Sequence, residues 1–380
     1  MKELSKIKSI DEWPVRHAHP LIVAGPCGAE SPEQMMAIAT ELKKNKMISI
    51  FRAGIWKPRT RPNAFEGVGT IGLKWLQEVK RETGLLTTVE VANAFHAEEA
   101  MKYGVDVLWI GARTTVNPFT VQEIADAIRG TGIPVMIKNP VNPELNLWIG
   151  GIERIYQAGT DHIIAVHRGF SSFRKSKFRN EPDWEIPIEL KRNIPNLPII
   201  CDPSHIAGRT DLLLNVSQLA FDLEMDGLMI ETHCNPEKAL SDSNQQITPT
   251  ALIQLLEDIV IRDHSAVDVK ANRLLDELRM QVDAVDEELV KLFALRKKLV
   301  EKIGLHKKKN GLTILQLSRW DYIMRERIKQ GEFLNLDKEF ILALYQLIHD
   351  DSIRLQTEIL NDDETLAAIE ALKSHVYNRK

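Results

Sequence analysis

The sequence predicts two domains, an eight-stranded barrel of alternating strands and helices followed by an all-helical domain. Short apolar runs alternate with amphipathic helical patterns as far as about residue 260. All 17 prolines and 17 of the 20 glycines lie before residue 265, and the rest of the chain follows a helical repeat. A segment rich in turn-forming residues, followed by one without proline, indicates an α/β domain joined to an all-α domain.

Length and composition limit the class of protein. The chain has 380 residues, 44% of them hydrophobic, and a net charge of −4, which suits one large globular domain and a smaller one. No apolar run approaches the ~18 residues that a membrane span needs. The three cysteines, Cys27, Cys201 and Cys234, are far apart and form no CxxC pair. We therefore expect a cytoplasmic protein that binds neither membranes nor nucleic acid.

Eight apolar runs predict the strands of the barrel. Continuous runs of this length between helical patterns are typical of buried parallel strands. The runs are Pro20–Ala24, Ser49–Ala53, Leu85–Val91, Val105–Ile110, Pro134–Ile137, His162–Val166, Pro198–Cys201 and Gly227–Ile230.

The residues that follow each run distinguish a closed barrel from an open doubly wound sheet. Every predicted strand ends in a polar group, whereas an open sheet concentrates such groups at one switch point. A closed barrel brings all eight carboxyl ends around one mouth. We therefore predict a (β/α)8 TIM barrel over residues 1–262 and a linker over 263–270.

The predicted mouth collects cations and possible metal ligands. One strand-end Lys or Arg is usually a solvated charge, and one Cys is usually buried structure. Six cations in one mouth instead indicate substrates that carry phosphate and carboxylate groups. Those cations are Arg52, Lys57, Arg59, Arg113, Lys138 and Arg168. A further set, Cys27, His205, Glu231 and Asp242, mixes S, N and O donors and suits a divalent transition metal.

The segments at these positions resemble a type I DAHP synthase of the compact branch related to KDO8P synthases. The resemblance covers residues 15–260 and rests on several motifs in order. They are Ala24–Cys27, Phe51–Thr60, Gly111–Arg113, Ile137–Pro140, His167–Gly169, Cys201–His205 and the Glu231 to Asp242 spacing.

This resemblance implies condensation of phosphoenolpyruvate with erythrose 4-phosphate. The metal would be held by Cys27, His205, Glu231 and Asp242. Mn²⁺ is the expected ion, and Fe²⁺, Zn²⁺ and Co²⁺ are alternatives. Phosphoenolpyruvate would be bound by Arg52, Lys57, Arg113, Lys138 and Arg168, with Lys57 also catalytic. Arg59 and Thr60 would bind the phosphate of erythrose 4-phosphate. KDO8P synthase is the nearest alternative, but it has a longer polar motif where this chain has Lys57–Thr60, and its metal-free form has Asn at the position of Cys27.

The second domain, residues 271–380, is predicted to contain three helices, over about 267–306, 316–330 and 337–360. The first carries apolar residues at alternating spacings of three and four, typical of a packing or dimerising seam. They are Leu275, Leu278, Val282, Val285, Leu289, Leu292, Leu299 and Ile303. Arg296 occupies a position in this seam, and a buried guanidinium requires an anionic partner from the protein or a ligand.

The helical segment resembles an AroQ-class chorismate mutase throughout residues 270–360. The resemblance rests on Leu278–Leu289, Leu295–Leu299, Lys307, Ser318–Trp320 and Leu347–Gln356. It implies that Arg279, Arg296 and Arg319 bind the two carboxylates of chorismate, and that Lys307 and Gln356 donate hydrogen bonds to its ether oxygen. Ser352 would support a carboxylate or hydroxyl. Gln316 and Trp320 depart from the family, because some members have carboxylates there, which leaves mutase efficiency open.

One helix cannot supply both Arg279 and Arg296 to one substrate molecule. Seventeen residues of helix separate them by roughly 25 Å, whereas chorismate is about 10 Å across. If both bind substrate they come from different chains, which predicts an intertwined homodimer through the helical domain, with a tetramer also open. Otherwise Arg279 is a solvated helix charge.

Together these resemblances imply a bifunctional enzyme of aromatic amino acid biosynthesis. Prephenate, the product of the mutase, would also act as a feedback effector of the synthase through the helical domain. An alternative of another class makes the helical domain an inactive dimeriser and ligand sensor.

Overall fold

The chain folds into two compact units, and each is described by itself. The computed structural model describes residues 4–13, 18–58, 64–173, 176–262 and 269–361. The units divide at Met1–Arg262 and Asp263–Lys380. Arg59 and Thr60, the residues expected to bind erythrose 4-phosphate, lie outside the described residues.

The first unit is a closed barrel of eight parallel strands in chain order, which confirms the predicted fold. The strands are β1 (Leu21–Gly25), β2 (Ile48–Ala53), β3 (Leu86–Val91), β4 (Val107–Ile110), β5 (Val135–Lys138), β6 (Ile163–His167), β7 (Ile199–Cys201) and β8 (Gly227–Glu231). β1 pairs in parallel with both β2 and β8, so no strand edge is left open. Every observed boundary lies within two residues of the predicted one.

Ten helices accompany these strands among the described residues of the unit. They are α1 (Pro32–Leu42), α2 (Ile71–Thr83), α3 (Ala94–Lys102), α4 (Ala112–Thr115), α5 (Pro118–Ala127), α6 (Leu145–Gln157), α7 (Glu185–Asn193), α8 (Pro203–Ala207), α9 (Leu213–Asp222) and α10 (Pro249–Asp258). Local sequence explains several of the starts. Ser31, for example, accepts a hydrogen bond from the Gln34 N–H, and Pro32 occupies the first turn of α1, where its missing N–H costs nothing.

The alternation of side chains along each strand produces two apolar layers. One cluster fills the barrel interior and includes Ile50, Met136 and Met229, while a larger one lies between strands and helices. Because strand residues alternate between faces, the residue two positions after an interior residue also faces inward. Arg52, Lys138 and Glu231 follow Ile50, Met136 and Met229 in this way, so charged groups lie directly above the apolar interior.

The second unit consists of three helices in the described residues, as predicted. They are α11 (Val269–Asn310), α12 (Leu317–Phe333) and α13 (Lys338–Asn361). The helix α11 passes through Gly304 and ends four residues beyond the predicted end near 306. A Cβ at Gly304 would lie 3.0 Å from Ile359 Cδ1, so glycine here permits close packing of α11 on α13.

A single copy of the helical unit has a very small core. Val300 and Ile341 are the only buried apolar side chains in its described part, 269–361. The seam residues of α11 that the sequence identifies remain 41–60% exposed. Apolar faces of this extent require another surface to cover them. No helix in the described residues is long and apolar enough to cross a membrane.

His167, the last residue of β6, is completely buried next to aromatic rings. Its ring centroid lies 5.0 Å from that of Trp184 and 5.7 Å from that of Phe170. Burial, assisted by the charge of Arg168, lowers the pKa of His167 to about 3. The imidazole is therefore neutral in the folded barrel at any ordinary pH.

We predict that His167 makes the barrel less stable in mild acid. The unfolded histidine has a pKa near 6.5, so below that pH the unfolded chain binds one more proton than the folded chain. Lowering the pH from 7 to 5 should therefore reduce the free energy of unfolding by about 2 kcal/mol through this residue alone. Urea unfolding at both pH values measures it. His167→Phe should weaken the pH dependence, because it removes the group that titrates in the unfolded chain. An unchanged pH dependence in His167→Phe would contradict this assignment.

Candidate functional site

The inward-facing groups at the carboxyl ends of the strands form one charged cluster. Its deepest pair joins Arg52 Nη2 to Glu231 Oε1 at 3.0 Å, with both side chains at most 2% exposed. Glu231 Oε2 also accepts a hydrogen bond from Gln245 Nε2 at 2.6 Å. Burial would raise the pKa of Glu231, but the charges of His205 and Arg52 outweigh it and hold the pKa below its ordinary value. Glu231 is therefore an anion within the barrel.

A second buried pair joins β5 to the loop after β7. Lys138 Nζ contacts Asp202 Oδ2 at 2.6 Å, and His205 Nδ1 contacts the same oxygen at 2.8 Å. Burial would raise the pKa of Asp202, but His205 and Lys138 hold it well below its ordinary range. The contact of His205 Nδ1 with Asp202 turns the other ring nitrogen, Nε2, toward Glu231 Oε1 at 3.8 Å.

Cys27 lies beside Asp242 and Lys57 at the entrance of the barrel. Its Sγ is 3.2 Å from Asp242 Oδ2 and 2.9 Å from Lys57 Nζ. Burial, with a contribution from the charge of Glu231, raises the pKa of the Cys27 thiol to about 12. A thiol in this environment ionises only when a stronger cation is bound to it.

Asp242 is held in an unusual backbone conformation. Its φ of +49° and ψ of 40° lie in the left-handed region, which non-glycine residues adopt at a cost. Arg179 Nη1 contacts its Oδ1 at 3.0 Å, and the Gln246 side chain joins Ser241 O to the Cys27 N–H. These contacts fix the Asp242 loop against the loop after β1.

The remaining cations line the mouth of the barrel. Lys57, Arg113, Lys138 and Arg168 border one pocket together with Glu90. Arg168 Nη1 donates a hydrogen bond to Asn180 Oδ1 at 2.7 Å, and burial lowers the pKa of its guanidinium to about 10. Gly111 is required beside this pocket, because a Cβ there would lie 1.9 Å from Glu90 Oε1.

The four expected metal ligands come together as two pairs. Cys27 contacts Asp242, and His205 approaches Glu231, with cationic side chains next to both pairs. Within the described part of the chain, no three His, Cys, Asp or Glu side chains surround one point closely enough to hold a metal. The donor set nevertheless fits a divalent cation, because one imidazole nitrogen is oriented by Asp202 and both carboxylates are anionic.

Several side chains in this cluster were not assigned a role from the sequence. Asp202 and Glu90 occur at strand ends, so their positions were evident even though their contacts were not. Arg179, Asn180 and Gln245 come from loops, where no periodicity indicates the direction of a side chain.

The helical unit brings four of its expected site residues onto facing helices. Arg296 Nη1 donates a hydrogen bond to Ser352 Oγ at 2.8 Å. Lys307 Nζ donates to Ile314 O at 2.5 Å, and burial lowers the pKa of this lysine. Gln356 is 7% exposed on α13. Among the residues the structure describes, Arg296 makes no ion pair, so its charge is open to an anionic ligand.

The other two arginines lie elsewhere on the unit. The Arg279 guanidinium is solvent-exposed and lies 3.4 Å from Asp276. It is 17 residues before Arg296 in an unbroken helix, which separates the two by roughly 25 Å. Arg319, on α12, lies over the ring of Tyr322 at 5.2 Å. A single chain therefore does not assemble all three arginines of the expected site.

Comparison with known protein families matches both units. The model described as the DAHP synthetase I family matches residues 16–267, and that described as chorismate mutase type II matches residues 278–357.

Individual proteins show similarity to each part. A phospho-2-dehydro-3-deoxyheptonate aldolase from Thermotoga maritima is 33% identical over 239 residues, which cover 63% of this chain and 68% of that protein. A bifunctional chorismate mutase/prephenate dehydratase from Buchnera aphidicola is 36% identical over 90 residues, 24% of this chain and 23% of that protein. A crystal structure of the aldolase (DAHP synthase) from Thermotoga maritima has a TM-score of 0.56 at 30% identity and covers 63% of this chain and 67% of that one.

Proposed function

The chain belongs to the DAHP synthetase I family and carries a chorismate mutase type II domain, and we propose that both of its active sites are functional. The barrel condenses phosphoenolpyruvate with erythrose 4-phosphate to DAHP and phosphate. The helical unit rearranges chorismate to prephenate. The observation that carries the first assignment is the ring of inward-facing cations around the metal-type donor set at the barrel mouth.

In the barrel, this chain's own residues bind two polyanions close together. Arg52, Lys57, Arg113, Lys138 and Arg168 neutralise the phosphate and carboxylate of phosphoenolpyruvate, and Arg59 and Thr60 hold the phosphate of erythrose 4-phosphate. Holding both substrates in one cationic mouth offsets their mutual repulsion and orients the reacting carbons. The contact of Lys57 Nζ with Cys27 Sγ supports a catalytic role for Lys57 next to the proposed metal ligands.

Cys27, His205, Glu231 and Asp242 would hold a divalent metal, with Mn²⁺ the first candidate and Fe²⁺, Zn²⁺ or Co²⁺ as others. Such an ion would polarise the aldehyde carbonyl of erythrose 4-phosphate as a Lewis acid. Two features of the chain support this assignment. Asp202 orients the His205 ring so that Nε2 is available, and the thiol of Cys27 requires a nearby cation to ionise.

We predict that synthase activity is lost on chelation and restored by Mn²⁺. Cys27→Ala should lower metal affinity at least about tenfold, since even substitutions next to metal ligands cost this much. Metal retained after dialysis, measured by atomic emission, reports binding independently of turnover. Cys234→Ala is the matched control, because that thiol is exposed. Full metal content and full activity in Cys27→Ala would refute the metal assignment.

In the helical unit, the uncompensated Arg296 supports binding of the dianion chorismate. Arg279, Arg296 and Arg319 bind its carboxylates, Ser352 supports a carboxylate or hydroxyl, and Lys307 and Gln356 donate hydrogen bonds to the ether oxygen. The rearrangement needs no nucleophile, so restraint of the substrate and electrostatic stabilisation are sufficient. The exposed seam of α11 and the spacing of Arg279 and Arg296 support an intertwined homodimer. In this dimer each site combines Arg279 of one chain with Arg296 of the other.

We predict that Arg279→Ala and Arg296→Ala each lower mutase turnover by about 10²–10³-fold. Co-expression of the two variants should restore about a quarter of wild-type activity, because half of the dimers are mixed and each mixed dimer contains one intact site. Decay of chorismate absorbance in the full-length protein measures turnover. If both arginines served a site within one chain, co-expression would restore nothing.

The helical unit also acts as a sensor for the barrel. A ligand that binds one unit can change the activity of the other only when the coupled states differ in affinity for it. The two activities stand near the start and at a branch of one pathway, so prephenate bound to the helical unit is suited to restrain the synthase.

We predict that saturating prephenate lowers synthase activity of the wild-type chain. Arg296→Ala should abolish this inhibition because it removes a binding contact, while Arg273→Ala should preserve it. The Arg273 side chain is the control because it is 82% exposed and contacts Glu277 on its own helix. Equal synthase activity with and without prephenate in the wild type would exclude the coupling.

A further inference from the structure

A pair of stacked rings borders the candidate mutase site. Trp320, on α12, lies against His349, on α13, with ring centroids 3.7 Å apart and the ring planes inclined by 19°. Both side chains are only partly exposed in a single chain. The stack is the one cross-helix ring contact in the described part of the helical unit, and the role of neither residue follows from the functions proposed above.

His349 lies on the same face of α13 as two of the expected binding residues. Residues 349, 352 and 356 are spaced i, i+3 and i+7, which places His349 on one helix face with Ser352 and Gln356. Ser352 in turn accepts the hydrogen bond of Arg296. His349 is therefore a neighbour of the Arg296 side chain.

The electrostatic surroundings agree with this placement. Burial first, and then the charges of Arg296 and Lys307, lower the pKa of His349, against an opposite contribution from Asp350. The imidazole is therefore neutral at pH 7 and can both donate and accept a hydrogen bond. No described residue forms a hydrogen bond with its ring nitrogens.

One polar group of chorismate, its ring hydroxyl, has no available partner among the residues assigned above. The two carboxylates and the ether oxygen of chorismate are matched by the arginines, Lys307 and Gln356. The residue offered to its ring hydroxyl, Ser352, already accepts a hydrogen bond from Arg296 and donates one to Ile348 O, so its hydrogen is not available to the substrate. A buried hydroxyl without a hydrogen bond is costly, so a neutral donor–acceptor group at this wall of the site is needed.

We propose that His349, held by its stack on Trp320, is the binding residue for the ring hydroxyl of chorismate and prephenate. Trp320 is a positioning residue that fixes the imidazole and forms an apolar wall. The inference rests on the mutase function proposed above, and it reinterprets Trp320 as a working part of the site rather than a sign of lost activity.

The test compares two variants and two substrates in the full-length protein. His349→Phe keeps a ring against Trp320 but removes the hydrogen bond, and His349→Gln keeps a donor and an acceptor. His349→Phe should lower kcat/KM for chorismate about tenfold. It should leave kcat/KM unchanged for a chorismate analogue in which hydrogen replaces the ring hydroxyl. His349→Gln should recover part of the loss.

A structural role and a binding role give different results. If His349→Phe lowers kcat/KM equally for both substrates, or for neither, the hydroxyl contact is refuted. The dissociation constant of prephenate, measured by calorimetry, supplies a readout without turnover, because prephenate retains the hydroxyl. It should rise about tenfold in His349→Phe. A wild-type chain that binds prephenate but does not convert chorismate would refute the mutase function alone.

Discussion

Two buried ion pairs, Arg52 with Glu231 and Lys138 with Asp202, are the interactions on which the barrel site depends. A charge taken out of water is costly unless a partner compensates it, and a pair that loses one member leaves an uncompensated charge behind. The barrel therefore holds the cations proposed to bind substrate in place with its own carboxylates. Asp202 orients His205, and Glu231 belongs to the donor set proposed to hold a metal. If these ligands bind as proposed, they redistribute contacts that already exist rather than order free side chains.

The helical unit obeys a different constraint, because one chain cannot bury its own apolar surface. Its expected site residues Arg296 and Lys307 are held by polar groups and its seam is uncovered, so in the proposed dimer assembly and substrate binding depend on the same long helix. Arg296 illustrates both requirements, since it interrupts the apolar seam and lacks an anionic partner among the described residues. If the site is built across chains as proposed, it exists only in the assembled state.

Much of the barrel could be predicted from the sequence, because the pattern of apolar residues along a strand indicates which way its side chains face. Apolar runs located all eight strands, and alternation along β2, β5 and β8 explains why Arg52, Lys138 and Glu231 face inward. Contacts between distant loops leave no such signal. The hydrogen bonds of Arg179 to Asp242 and of Asn180 to Arg168 depend on loop conformations that no local pattern specifies. The end of α11 was predicted four residues early, since the small size of Gly304 permits packing against α13 and does not interrupt the helix.

The closure of the barrel has a consequence for the order in which the protein is made. Gly25 of β1 pairs with Glu231 of β8, 206 residues later in the chain. During synthesis, β1 can therefore pair with β8 only after nearly the whole barrel has left the ribosome. Contacts of such separation are slow to form, and unpaired strand edges are prone to aggregation in the interval. The carboxylates at residues 231 and 242 arrive last, so the donor set is completed only as the barrel closes. The residues of the helical unit are synthesised only after those of the barrel.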